Sequence, residues 1–156
     1  MEMWELIARE RIRDSLALYN WSGDAARVTE LARAFCEDGE LEVRGRDTVR
    51  GREAIAEFIG GTARRGDGEA SSANPAAKVK RIVRHNLTNV RFLEISPQQA
   101  RVASYFTVVT EIGLDHYGRY RDIFVPVGDE WLIQHRFVST DWRSPESTMA
   151  SPASVS

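Results

Sequence analysis

Four segments decide the fold: KRIVRHNLTNVRFLEI (residues 80–95), QARVASYFTVVTEI (99–112), HYGRYRDIFVPVG (116–128) and EWLIQHRFVST (130–140). Each is rich in β-branched and aromatic residues, as strands are. Ser96-Pro97, Gly113 to His116 and Gly128-Asp129 join them by short turns, so an antiparallel meander is the natural topology. The first segment breaks strict alternation. Val83, His85 and Leu87 share one face, whereas Val90 and Phe92 have the opposite parity. A regular strand cannot bury both sets on one side, so a β-bulge is expected near Thr88-Asn89. All three histidines, His85, His116 and His135, fall in this region.

Such a sheet needs cover for its apolar face, and only the preceding segments are helical. Trp4, Ile7, Ala8, Ile12, Leu16 and Tyr19 recur at three- and four-residue steps and form one apolar stripe. The helix is expected to lose order at Ser22-Gly23, with Asp24 placed to N-cap a second helix from Ala25 to Cys36. Glu37-Asp38-Gly39 reads as a turn, Leu41 to Val43 as a short strand, and Arg44 to Arg50 as a polar run that closes it. A third helix covers Arg52 to Ile59, and Gly60-Gly61 is expected to end it or to lie close to its end. Thr62 to Ala77, rich in Gly, Ser and Ala, reads as a mobile loop. After Trp142 the tail RSPESTMASPASVS has little to bury and is expected to be poorly ordered, which leaves one domain over residues 1–142.

The fold class is therefore α+β: three helices laid on a curved, mainly antiparallel sheet, with a pocket in between. A chain of 156 residues can bury roughly two-thirds of its unfolded surface. A net charge of -2 gives no electrostatic pull toward nucleic acid or an anionic membrane. One cysteine, Cys36, allows no intrachain disulfide, which fits a reducing compartment. With no continuous apolar leader or span, a cytoplasmic protein is expected.

Few residues carry chemistry. His85 lies mid-strand on an apolar parity, as a packed core histidine or as a proton-transfer group. Asp24 can cap a helix, and a capping carboxylate can also hold a histidine. Asp115 and His116 open a strand whose two parities, Tyr117/Arg119/Arg121 and His116/Gly118/Tyr120/Asp122, must face opposite ways. His135 shares a parity with Ile133 and Phe137, which suits packing or a partner interface. The Tyr19 hydroxyl needs a partner if buried and could polarise a carbonyl there. Metal-binding spacings, Gly-rich phosphate motifs and the G-x-S-x-G elbow are absent from the sequence, so no metal and no cofactor is expected. Acid–base chemistry or plain binding remains.

The order of three helices, a short strand and a long bent meander resembles the nuclear transport factor 2-like α+β barrel, in its SnoaL-like branch, which implies a cone-shaped barrel with the three helices packed on a strongly curved sheet. The resemblance rests on IRDSLALYNWSGDAARVTELARAFCEDGELEV (12–43), GREAIAEFI (51–59), RHNLTNVRF (84–92), ARVASYFTVVTEIGLDHYGRYRDIFV (100–125) and WLIQHRFV (131–138). Enzymes of this kind include scytalone dehydratase, a bile-acid dehydratase, a dehydrochlorinase, polyketide cyclases and ketosteroid isomerase-like enzymes; other members only bind or assemble. The resemblance implies that His85 is a general base oriented by Asp24, that Tyr19 donates to an enolate oxygen, and that Asp115 or His116 assists a leaving hydroxyl or returns a proton. It also implies a small hydrophobic carbonyl compound such as a polyketide or steroid, and a homodimer or homotrimer formed through the outer face of the sheet. The second acidic residue that usually follows the helix-opening aspartate is missing, since Ala25-Ala26-Arg27-Val28 follows Asp24.

Overall fold

The computed structural model describes residues 1–68 and 82–149. Helices α1 (Met3–Asp24), α2 (Val28–Ala32) and α3 (Arg52–Gly68) pack on strands β1 (Phe35–Val43), β2 (Val49–Arg50), β3 (Arg84–Ile95), β4 (Ala100–Thr110), β5 (Gly113–Val127) and β6 (Glu130–Arg143). The strands form one sheet in the order β2-β1-β6-β5-β4-β3. Its four long strands are the expected meander, and β1 joins β6 in parallel. The sheet is curved and does not close on itself, because β2 and β3 end it on either side. This is the α+β cone expected from the sequence.

Irregularities in register bend the sheet and decide what faces inward. On β3 the pairing steps from Thr88↔Tyr105 to Arg91↔Ala103, and Asn89 takes the left-handed φ of 53° that asparagine tolerates best. This is the expected bulge. It lets Leu87 and the opposite-parity Val90 and Phe92 pack against the same core. On β5 the pairing steps from Val108↔His116 to Val109↔Leu114, so Asp115 faces no residue of β4. Two consecutive residues, Asp115 and His116, are buried as a result. Between Ile123↔His135 and Phe124↔Ile133, Gln134 is the extra residue. That slip turns Arg136, not His135, into the interior; His135 Nε2 instead meets Glu42 Oε2 at 3.0 Å.

The helical segments depart from the sequence reading at their ends. Asp24 does not cap a second helix; it closes α1. The Ala26 N–H donates to Gly23 O and the Arg27 N–H to Ser22 O, with Ala26 at φ 57°, which is a Schellman stop built without glycine. α2 keeps only Val28–Ala32 because the Ile133 N–H donates to Ala34 O and draws Phe35 into β1, so sheet pairing overrides helical periodicity. The expected turn at Glu37-Asp38-Gly39 lies inside β1, where the register shifts between Phe35 and Glu40. The polar run after Val43 supplies β2. α3 does not stop at Gly60-Gly61 but runs on through Thr62 to Gly68, while Ile55, Phe58 and Ile59 pack on the core. The rest of the expected loop, residues 69–77, lies outside the described residues.

The core joins Ala8, Ile12 and Leu16 of α1 to Leu31, Phe35, Leu41, Ile55, Val102, Phe124 and Ile133. Trp4 and Ile7, placed on the same stripe by periodicity, are exposed. A smaller cluster of Phe106, Val108 and Tyr120 takes Tyr19, Val83, Leu87, Val138 and Met149 against it. The segment after Trp142 therefore does bury groups. Arg143 completes β6, and Ser147 and Met149 fold back on the second cluster; residues 150–156 lie outside the described residues.

Candidate active site

Two histidine–aspartate pairs meet over the second cluster. His85 Nδ1 stands 2.6 Å from Asp24 Oδ1, and the His85 backbone N–H donates to Asp24 Oδ2 at 2.9 Å. A carboxylate in the last turn of a helix faces the negative end of the helix dipole, which disfavours it. Here one residue of β3 compensates by engaging both oxygens. His116 Nδ1 stands 2.7 Å from Asp115 Oδ1, which also accepts from Ser147 Oγ at 2.6 Å, while Thr110 Oγ1 donates to Oδ2 at 3.2 Å. The two imidazoles stand 6.4 Å apart between ring centroids, edge to face, with the Phe106 ring 6.5 Å from one and 6.0 Å from the other.

The tautomers follow from the partners. An ionised carboxylate only accepts, so each neutral imidazole carries its proton on Nδ1 and leaves Nε2 as a lone pair. Burial lowers the His116 pKa below its ordinary 6.5, and the charge of His85 lowers it further against the pull of Asp115. Burial pushes the Asp115 carboxyl up, but the hydrogen bonds from Ser147, His116 and Thr110 and the His116 charge outweigh it, and the group ends below its ordinary 3.8.

Tyr19 sits one layer deeper. Its ring contacts Tyr120 (6.0 Å) and Phe35 (5.9 Å) edge-on, and Tyr120 stacks on Phe106 at 4.7 Å. Burial raises the Tyr19 pKa against the Arg136 charge, so the phenol stays a donor. Of the residues singled out from sequence, Asp24, His85, Asp115 and His116 come together at one spot, with Asp115 behind His116. Tyr19 reaches them through the ring stack.

Sequence reasoning missed Arg136 and Asp122, both buried. Arg136 Nε and Nη2 donate to Asp122 Oδ1 and Oδ2 at 2.8 Å each, and the guanidinium lies 4.2 Å from the Tyr19 ring and 4.1 Å from that of Tyr120. Asp122 shares the inward parity of His116 and Tyr120, a readable signal once that parity is chosen. Arg136 had none, because the slip at Gln134 inverts its side. Gly118 lies on the same parity, and a Cβ there would overlap the Ser139 carbonyl oxygen and come within 2.8 Å of Phe106 Cζ. Glycine thus lets β6 and the Phe106 ring approach beside His116. A separate cleft of about 580 Å³, lined by Arg11, Leu18, Arg33, Arg52, Trp131 and Leu132 among others, includes none of these site residues. Among the described residues no group of three His, Cys, Asp or Glu could hold a metal ion, and no helix is long and apolar enough to cross a membrane.

Comparison with known proteins places this geometry. Solved structures similar to the chain include a protein of unknown function from Mycobacterium tuberculosis (24% identity, 94% of this chain and 79% of that one, TM-score 0.72). A second, from Novosphingobium aromaticivorans, is provisionally named a scytalone dehydratase (21% identity, 97% and 93%, TM-score 0.69). A third is ActVI-ORFA from Streptomyces coelicolor (18% identity, 85% and 96%, TM-score 0.69). At these identities the likeness shows the fold. A search of curated proteins finds no match. The family model described as the SnoaL-like domain matches residues 4–137, and the chain belongs to that family.

Proposed function

We propose that this protein is a cofactor-independent lyase or isomerase, of dehydratase or cyclase type, acting on a small hydrophobic carbonyl compound such as a polyketide or steroid. The observation that carries the reading is the pair of imidazoles, each tied to its own carboxylate through Nδ1 and each left with a free Nε2. His85 removes an acidic proton from the carbon beside the carbonyl, and Asp24 balances the imidazolium that forms. The same imidazolium hands the proton to a leaving hydroxyl, releasing water, or to another carbon, completing an isomerisation. His116, kept neutral by burial, accepts a hydrogen bond from the substrate hydroxyl through Nε2 and holds it in reach. Tyr19 donates to the enolate oxygen. General acid–base catalysis of this kind contributes typically about 10²–10⁴-fold.

The test is dehydration of 3-hydroxy-1-tetralone, whose loss of water gives 1-naphthol and a strong change in absorbance. Wild type is expected to turn over, and His85→Gln to lose at least about 10²-fold. Equal rates in the two proteins would overturn the assignment. A wild type that binds ketones without turning over any would favour the alternative, a binding or assembly domain on the same cone. The outer face of the sheet, with exposed Tyr105 and the stacked Tyr117 and Trp142, supports association with a second copy, which sedimentation of the intact protein would test.

A further inference from the structure

The buried Asp115 carboxylate collects donors from three places in the chain. His116 Nδ1 stands 2.7 Å from Oδ1, Ser147 Oγ donates to the same oxygen at 2.6 Å, and Thr110 Oγ1 donates to Oδ2 at 3.2 Å. The two hydroxyls are aimed in the same way. Thr110 Oγ1 accepts from the Ile112 N–H at 3.4 Å and Ser147 Oγ from the Met149 N–H at 3.3 Å, each two residues further on. A hydroxyl whose lone pair is engaged by a backbone N–H turns its own proton to the remaining acceptor, here the carboxylate.

Ser147 belongs to the segment after β6, and that segment is tied to the β5 bulge without its hydroxyl. The Ser144 N–H donates to Asp115 O at 2.7 Å, the Ser147 N–H to Ser144 O at 3.0 Å, and Arg143 Nη1 to Ser147 O at 3.4 Å. Met149 packs on the cluster of Phe106, Val108 and Tyr120. Ser147 is 7% exposed, so bulk water competes little for its hydroxyl. Compensating a buried carboxylate would need only donors to either oxygen, yet Ser147 takes the oxygen that His116 uses. An oxygen already accepting a hydroxyl draws less strongly on the imidazole, so the contact keeps a neutral Nδ1–H ring rather than pulling it toward the cation. The other pair is built differently. Among the described residues Asp24 is engaged by His85 alone, through its ring and its backbone N–H.

We infer that Ser147 is a positioning residue of the site: its hydroxyl, aimed by the Met149 N–H, fixes the Asp115 carboxylate and through it the Nδ1–H tautomer and ring plane of His116, so that Nε2 stays an acceptor. Ser147 acts through Asp115 and His116 rather than on the substrate. The inference rests on the acid–base reading above and makes its two imidazoles unequal. His85, whose carboxylate is shared with no hydroxyl among the described residues, takes the proton; His116, whose carboxylate is shared, holds the substrate hydroxyl.

The test is an NMR titration of the His116 ring in the intact protein. The charged groups around that ring are Asp115 beside it, His85 on β3 and Arg143 opposite it on β6, and all three are kept in the variants. Ser147→Ala gives Asp115 Oδ1 to the imidazole alone and is expected to raise the pH at which His116 titrates by at least about 0.5. Met149→Ala keeps the hydroxyl and the backbone contacts, so it is expected to lower the urea midpoint and leave the His116 titration in place. Both readouts are independent of turnover, so a protein inactive on every hydroxy-ketone would sink the acid–base reading without deciding this result. Should Ser147→Ala fail to fold, wild type serves instead. The Ser147 hydroxyl proton and the His116 Nδ1 proton converge on one oxygen, so a nuclear Overhauser contact between them is expected. An unmoved His116 titration in Ser147→Ala, an equal movement in Met149→Ala, or absence of that proton contact would each overturn the inference.

Discussion

His85 and His116 stand edge to face, their ring centroids 6.4 Å and their planes 86° apart, and each turns Nδ1 to its own aspartate. The aspartates arrive by different routes. Asp24 is the last residue of a helix, and Asp115 is the unpaired residue of a bulge immediately before His116. Positive charge on one ring disfavours it on the other, so the pair is suited to carrying a single proton through a reaction cycle.

That arrangement makes the fold sensitive to acid. The folded-state pKa values of His116 and Asp115 are both below their ordinary values of 6.5 and 3.8. For each group the unfolded chain then binds protons more readily than the native one, so stability rises with pH across the window. The His116 contribution is present above about 6.5 and is lost as pH falls toward its folded value; the Asp115 contribution follows at lower pH, below 3.8. Urea denaturation is expected to show stability falling as pH drops below about 6.5, with a shallower fall in His116→Gln.

The buried Asp122–Arg136 pair gives a second expectation. Removing one partner strands a charge in the core, so Asp122→Ala is expected to cost about 3–5 kcal/mol of unfolding free energy. Replacing both, as Asp122→Leu with Arg136→Met, removes the stranded charge and is expected to recover most of that loss. The double variant should fold with a urea midpoint close to that of wild type. Chemical denaturation of the single and double variants reads the difference.

Ala26 provides a third. An L-residue at φ 57° carries a steric penalty of roughly 1–2 kcal/mol that glycine avoids, while glycine costs more chain entropy on folding. Ala26→Gly is therefore expected to stabilise the protein by about 0.5–1 kcal/mol, read as a higher urea midpoint at unchanged slope. The same change should leave the Asp24–His85 contact intact, since the two turn hydrogen bonds are made by backbone alone.

These residues also mark how far the sequence could be read. The meander and the β3 bulge were legible, because alternation and its breaks report directly on which side a strand buries; the meeting of Asp24 with His85 was implied only by the family resemblance. The role of Asp24 as a helix cap was misread, since the stop that follows it uses an alanine where glycine is the usual signal. β1 was read too short, because its first residues have helical periodicity and are claimed by Ile133 across the sheet. Arg136 was invisible for a related reason. One extra residue, Gln134, inverts the parity of the stretch from His135 to Thr140 on β6, and nothing in the local sequence announces the slip. Ser147 and Met149 looked like tail, since their partners, Asp115 and the Phe106 cluster, lie far away in the chain.

The most direct test of the account is an NMR titration of the His116 ring in wild type and in His85→Gln. If the two imidazoles share one site, His116 titrates below 6.5 in wild type and moves up toward that value when the neighbouring charge is removed, while Asp115→Asn moves it further down. An identical His116 titration in wild type and His85→Gln would contradict the account, because the two rings would then not act on each other and could not serve as one acid–base pair.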